Sequence, residues 1–327
     1  MRAATLTGTG GFDLVELPDP SPGPGELVLQ VHACGICGSD LKVVGRMPAG
    51  TVLGHEFCGE IVAVGAGVDD WRAGDVVAAM PLGSCGKCEW CLRDLPAHCT
   101  ANDMIGVGGG HGAFAEYIRV PAAGAVPLRV GTGDFGALVE PLAVGLHTVV
   151  TAGVRAGDRV LVLGGGNVGA AVTLWARRSG AREVVVSDPA PTRREAAAIF
   201  GATGVHDPTD GPPPPGFDVV IECVGVPGMV QSAIDAAGPR GRVVIAGVCL
   251  APDSILPATA VMKEVEIRFA VYYGREEFAA AARLLESGDI DPAAFVSSEV
   301  PLDEIGAAFD RLLTTTTERK VFVTPTR

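Results

Sequence analysis

The stretch Asp158–Asp188, DRVLVLGGGNVGAAVTLWARRSGAREVVVSD, decides the fold. Its first seven residues, 158–164, read as a short apolar strand that stops on glycine. Gly164, Gly165, Gly166, Asn167, Val168 and Gly169 follow directly, and 168–179 carries apolar residues at helical spacing. In a strand–turn–helix context each glycine of this GxGxxG pattern has a task. Gly164 permits the tight turn, Gly166 lets the backbone approach a pyrophosphate, and Gly169 lets the helix pack on the strand. The helix opening at Asn167 and Val168 offers free N–H groups and a positive dipole end to phosphates. Asp188 ends the next apolar strand, 19 positions after Gly169. A carboxylate there accepts the hydroxyls of an adenosine ribose and repels a 2′-phosphate, so NAD is expected before NADP. Arg193 and Arg194 act against that preference, because a nearby arginine accommodates the phosphate. The competing reading is a glycine turn in an α/β domain without a nucleotide, with Asp188 as a helix cap.

Working outward, the alternation continues. TRREAAAIFGA (192–202) is helical, FDVVIECVG (217–225) a strand, MVQSAIDAAG (229–238) helical and RGRVVIAG (240–247) a strand. Such alternation predicts a parallel sheet of βαβ units. PTDGPPPPG (208–216) is a breaker cluster and reads as a surface loop. Before residue 143 the texture differs. ELVLQVHA (26–33), EIVAVG (60–65), DVVAAM (75–80) and GAFAEYIRV (112–120) are short strands separated by turns. Beyond 272 come two amphipathic helices, REEFAAAARLLESG (275–288) and LDEIGAAFDRLL (302–313), an exposed turn at TTTTER (314–319) and a closing strand, KVFVTP (320–325). The expected fold class is α/β. A doubly wound parallel-sheet domain, 143–272, is inserted into a β-rich domain formed by 1–142 and 273–327.

The chain has 327 residues, 48% hydrophobic and 19% charged, a globular balance. Lys and Arg number 25 against 38 Asp and Glu, a formal net charge of −13, which argues against nucleic-acid binding. The most apolar run, 137–154, is interrupted by Glu140, Pro141 and His147, so no membrane span is expected. The first residues, MRAATLTGTGGFDLVE, lack the apolar core of a signal peptide, and a soluble cytoplasmic protein is expected.

Nine cysteines, an odd number, argue for metal before disulfides in a reducing compartment. Cys85, Cys88, Cys91 and Cys99 follow the spacing CxxCxxCxxxxxxxC. Four thiolates complete a tetrahedral zinc and leave no open position, which makes such a site structural. An iron–sulfur cluster uses similar spacing. A second, dispersed set comprises Cys37 in CGICGSD, His55 and Glu56 in GHE, and Glu140 in VEPLAVG. Taken singly, each reads as an ordinary packed residue. Together they offer the mixed donors that zinc accepts while keeping a position open for substrate, with Asp40 as a residue that orients His55 or another ligand.

The ordered combination GICGSD, GHE, CxxCxxCxxxxxxxC, GAFAEY, VEPLAVG and GGGNVG resembles the zinc-dependent medium-chain alcohol and polyol dehydrogenases, including sorbitol- and threonine-dehydrogenase-like members. The resemblance implies a GroES-like β domain completed by C-terminal residues, a Rossmann domain, and an active site in the cleft between them. It implies two zinc ions per chain. Cys37 and His55 match ligands of the catalytic zinc, and Glu140 or Glu56 supplies the third. Cys85, Cys88, Cys91 and Cys99 match the structural zinc. Ser39 matches the hydroxyl that starts the proton relay, Lys320 a basic residue that meets the cofactor phosphates, and Val248 the backbone contact to the nicotinamide amide. Lys42 stands where many members carry the histidine that ends the relay. The reaction implied is reversible hydride transfer between a secondary alcohol or polyol and NAD, in a homodimer or homotetramer. The rival readings are a zinc-independent quinone or enoyl reductase, a non-catalytic NAD- and zinc-binding sensor, and a dehydrogenase using Cys37 as covalent nucleophile.

Overall fold

The structure, a computed structural model, describes residues 1–107, 111–129, 131–314 and 318–326. The chain divides into two units, Met1–Glu140 with Tyr273–Arg327, and Pro141–Tyr272.

The Pro141–Tyr272 unit is built on a six-stranded sheet in the order Gly204–His206, Glu183–Ser187, Arg159–Leu163, Phe217–Glu222, Ala237–Ile245, Glu266–Phe269. Every pairing is parallel. Numbered along the unit, that order is 3-2-1-4-5-6, the doubly wound arrangement of dinucleotide-binding domains. The central strands are apolar without alternation because both faces are covered: Val160, Leu161, Val162, Val219, Val220 and Ile221 are all fully buried. Helix Asn167–Arg178 buries Gly169 to Thr173 and Ala176, with Val172 and Ala176 packed into the core under the sheet. A side chain at Gly169 would collide with the carbonyl of Gly164, so only glycine allows this approach. The stretch Gly133–Ala152, a 3₁₀ turn running into helix Val139–Ala152, is long and apolar enough to cross a membrane, but 67% of its most apolar window is buried in the protein.

The other unit carries a largely antiparallel sheet ordered Val296–Pro301, Lys320–Thr324, Glu26–Gly35, Glu56–Val64, Val76–Ala79, Ala125–Pro127, with Tyr117–Pro121 also paired to Glu26–Gly35. Strands Arg2–Leu6 and Phe12–Glu16 form a separate hairpin. Phe309 anchors the core, its ring 4.6 Å from Phe12 and 6.0 Å from Phe114. The C-terminal strand pairs Phe322 with Gly35 and Val323 with Cys34, so residues from both chain ends share one sheet.

Several elements depart from expectation. The strand expected at 60–65 begins at Glu56, because Phe57 and Cys58 find partners in Cys34 and Ala33. Regular pairing in 112–120 starts only at Tyr117, since Ala115 bridges Ala3 instead. The helix over 192–202 tightens into a 3₁₀ turn at Ala198–Phe200 and stops at Gly201, φ 95°. Part of the expected turn 314–319 lies outside the described residues.

Candidate metal and dinucleotide sites

Cys37 precedes helix Gly38–Val43 and its backbone N–H donates to Asp40 Oδ2 at 2.8 Å. Glu56 opens the neighbouring strand, directly after His55, and pairs in register with Gly35. Two adjacent strand ends thereby bring Cys37, His55 and Glu56 together, with one donor atom from each within 4.8 Å of the others. Asp40 Oδ1 stands 3.3 Å from His55 Nδ1, an ion-pair contact that falls short of a hydrogen bond. Ser39 Oγ lies 3.4 Å from His55 Nε2. Burial opposes a charge on His55, yet Asp40 and Cys37 outweigh it and lift its pKa well above the ordinary value. A thiol, an imidazole and a carboxylate converging in a buried pocket are the mixed donor set that zinc takes with one position left open.

Glu56 and Lys320 form a buried pair, 1% and 2% exposed, in which the ammonium donates to Glu56 Oε2 and, at 2.8 Å, to the carbonyl of Ile36. A side chain at Gly35 would overlap both partners, so this glycine makes room for the pair. The ammonium of Lys320, expected from the sequence at the cofactor phosphates, is directed instead to a member of the donor cluster. Lys42 is half-buried on helix Gly38–Val43. Glu140 lies in the first turn of helix Val139–Ala152, buried, and accepts from the Tyr273 hydroxyl at 3.2 Å. Desolvation pushes its pKa up to about 7, with Glu56 adding to the rise and His55 and Lys320 opposing it. Its oxygens are not part of the 4.8 Å donor cluster.

The second cluster gathers Cys85, Cys88, Cys91 and Cys99, again with all four sulfurs within 4.8 Å. Cys88 and Cys91 are 3.5 Å apart and Cys85 and Cys91 4.0 Å apart. Tetrahedral zinc with bonds of about 2.3 Å separates its sulfurs by roughly 3.8 Å, so the cluster has the right size. Backbone N–H groups of Lys87 and Cys88 lower the Cys85 pKa to about 6, which favours the thiolate a metal needs. Burial instead raises Cys91 to about 11.

In the parallel-sheet unit, Gly164 makes the expected turn at φ 95°. Nothing lies within 4 Å of where a Gly166 side chain would begin. Helix Asn167–Arg178 has no side-chain cap, and Asn167 Oδ1 is buried without a partner among the described residues. Open space, free N–H groups and an orphaned polar atom fit a dinucleotide at this turn. Val168 follows within the first turn of that helix. Asp188 is buried; its two oxygens accept from the N–H groups of Gly165 and Ala190, each at 2.8 Å, and Arg193 Nη1 lies 3.5 Å away. The carboxylate thus clamps two loops, and its remaining lone pairs can still accept from a ribose. Val248 is half exposed on the loop after strand Ala237–Ile245. Sequence reasoning missed Glu222. This buried residue accepts from Val224 and Gly225 N–H groups through its side chain and from Ala246 and Gly247 through its carbonyl, bracing two loops at the carboxyl end of the sheet. An acid closing an apolar strand was the available signal. The hydroxyl contact from Tyr273 to Glu140 had none.

A model of the alcohol dehydrogenase GroES-like domain matches residues 23–130, and a model of the zinc-binding dehydrogenase domain matches 167–287. The chain is 35% identical over 325 residues to 2-dehydro-3-deoxy-L-galactonate 5-dehydrogenase of Pseudoalteromonas atlantica, covering 94% of each chain. Identity is also 35%, over 315 residues, to L-threonine 3-dehydrogenase of Saccharopolyspora erythraea, covering 89% of this chain and 90% of that one. Among solved structures, a zinc-binding dehydrogenase from Sinorhizobium meliloti bound to NADP superposes with a TM-score of 0.89, 34% identity and 99% of both chains covered.

Proposed function

The chain belongs to the zinc-dependent medium-chain dehydrogenase family and is an alcohol or polyol oxidoreductase using NAD(P); within that family we propose that Cys37, His55 and Glu56 hold the catalytic zinc and that NAD is the preferred cofactor. The convergence of those three donors within 4.8 Å carries the reading. A zinc held by Cys37, His55 and Glu56 would supply Lewis acidity to a secondary alcohol, and a nicotinamide held by the parallel-sheet unit would supply the hydride acceptor. Asp40 orients His55 from behind. The Ser39 hydroxyl, beside His55, would accept the alcohol proton as it releases its own to water. Lys320 neutralises the Glu56 carboxylate. Gly164–Gly169 and the start of helix Asn167–Arg178 receive the pyrophosphate, Asp188 the ribose with Arg193 beside it, and the Val248 backbone the nicotinamide amide. Cys85, Cys88, Cys91 and Cys99 hold a second, structural zinc.

Relatives named for a dehydro-deoxygalactonate and for L-threonine, a hydroxy amino acid, support a polyol or hydroxylated acid with a secondary alcohol as the substrate class. The protein is a cytoplasmic homo-oligomer in this reading. Strand Glu266–Phe269 pairs on one side only among the described residues, and its Phe269 and the nearby Val261 and Met262 are 74%, 71% and 84% exposed, so a second copy is the natural cover. Sedimentation of Met262→Asp/Phe269→Asp, expected to run as a smaller species than the parent, tests the interface. The function is tested by nicotinamide absorbance, with zinc-loaded protein, NAD or NADP, and a panel of polyols, sugar acids and amino alcohols. Turnover that Cys37→Ser abolishes, with NADH binding retained, supports the assignment. Turnover that survives in Cys37→Ser refutes the site.

A further inference from the structure

Glu140 has a neighbour that the reaction as described does not use. Tyr273 is 2% exposed, and its ring lies flat on Phe278, with centroids 5.3 Å apart and planes at 15°. Its hydroxyl donates to Glu140 Oε1 at 3.2 Å. Glu140 is the last residue of its unit before the chain crosses to the other, and Tyr273 is the first after it returns. One hydrogen bond therefore ties both crossings. Tyr272, immediately before, sits at φ 54°, a left-handed conformation that a non-glycine residue keeps only where its surroundings impose it. On the other side Glu140 is fixed by the first turn of helix Val139–Ala152 and by Pro141.

Glu140 is a buried carboxylate close enough to His55, Glu56 and Lys320 for each to act on its charge, yet its oxygens stay outside the donor cluster. Carboxylate oxygen is a good zinc ligand. If it joined Cys37, His55 and Glu56, the site would have four protein ligands and no place for an alcohol. We propose that Tyr273 is a positioning residue that holds the Glu140 carboxylate away from the catalytic zinc and so keeps the substrate position open. This inference rests on the zinc-site reading above.

The test is Tyr273→Phe, which keeps the ring and its stacking on Phe278 and removes only the hydroxyl. Cobalt introduced in place of the catalytic zinc reports coordination directly, and Cys37→Ser identifies which bands belong to that site. In Tyr273→Phe the visible cobalt bands should shift in position while keeping four-coordinate intensity, as the Glu140 carboxylate takes the position otherwise open to the alcohol. Resistance of the catalytic metal to a chelator should rise about tenfold, and KM for the alcohol should rise by a similar factor with kcat much less affected, the scale of one hydrogen bond to a charged group. Tyr273→Phe/Glu140→Ala should return both spectrum and chelator resistance to the parent values. An unchanged cobalt spectrum in Tyr273→Phe overturns the proposal, including where activity falls, because Tyr273 would then be only a packing residue. Failure of the underlying site reading is separable: cobalt–thiolate absorption would be the same in Cys37→Ser as in the parent.

Discussion

Lys320→Met tests the most consequential contact in the β-rich unit. The ammonium is 2% exposed, its partner Glu56 is 1% exposed, and the carbonyl of Ile36 takes another of its protons. Methionine fills similar volume without charge. Breaking a buried ion pair from one side typically costs about 3–5 kcal/mol, because the other charge is left uncompensated, and the abandoned carbonyl belongs within that range. A surface pair such as Arg240–Glu264, with side chains 82% and 64% exposed, offers a contrast; Arg240→Ala should cost less than about 0.5 kcal/mol. The decisive experiment is a double-mutant cycle with Glu56→Gln, read by hydrogen exchange of amides in Glu56–Val64 and Lys320–Thr324. This local readout avoids assuming that a two-unit chain unfolds in one step. Each single variant should lose protection, and Lys320→Met/Glu56→Gln should lose less than their sum, with a coupling of at least about 2 kcal/mol. Zinc should narrow the penalty of Lys320→Met, since a cation on Glu56 replaces the missing one. A coupling below about 0.5 kcal/mol, or a penalty indifferent to zinc, would refute the reasoning.

Three further outcomes follow from the geometry. Gly166→Ala meets no neighbour within 4 Å, so stability should hold while calorimetric affinity for the dinucleotide falls at least tenfold; equal affinity would remove the pyrophosphate from this turn. Cys88→Ser removes one of four clustered sulfurs, and metal analysis should show one zinc fewer per chain with a lower unfolding temperature, while Cys37→Ser removes the other zinc. Glu116 accepts from both the backbone and the guanidinium of Arg2 at 2.7 Å, and although burial opposes it, these bonds hold its carboxyl below the usual range. A lowered pKa gives stability that is present above the unfolded value of about 4.3 and lost as pH falls through the folded one. Glu116→Gln should therefore lower the unfolding midpoint at neutral pH and flatten its acid limb, a curve that scanning calorimetry across pH would show.

Chemistry was more legible in the sequence than geometry. The GxGxxG turn and its strands announced themselves because a parallel sheet buries both faces and leaves long apolar runs. The four-cysteine spacing is local, so its cluster could be read without a fold. Cys37, His55 and Glu56 are separated along the chain, and only the register of Gly35 against Glu56 brings them together. The role of Lys320 was less accessible, because its partner lies 264 positions away and no local pattern marks a buried ammonium. Strand Val296–Pro301 was missed for a related reason: Ser297, Ser298 and Glu299 are poor strand formers, held by pairing to a fully buried neighbour strand.

The sharing of one sheet by both chain ends bears on how the protein is made. On the ribosome, the contiguous Pro141–Tyr272 unit is complete while the strand Lys320–Thr324 is still unsynthesised. Until that strand emerges, Cys34 and Gly35 lack their partners Val323 and Phe322, and Glu56 lacks its ammonium. The nascent chain thus acquires its parallel-sheet fold first and the finished surroundings of the Cys37, His55 and Glu56 cluster last. Premature termination after residue 272 but before residue 320 would leave a product able to pack its parallel sheet but unable to complete the sheet from which Cys37, His55 and Glu56 are held.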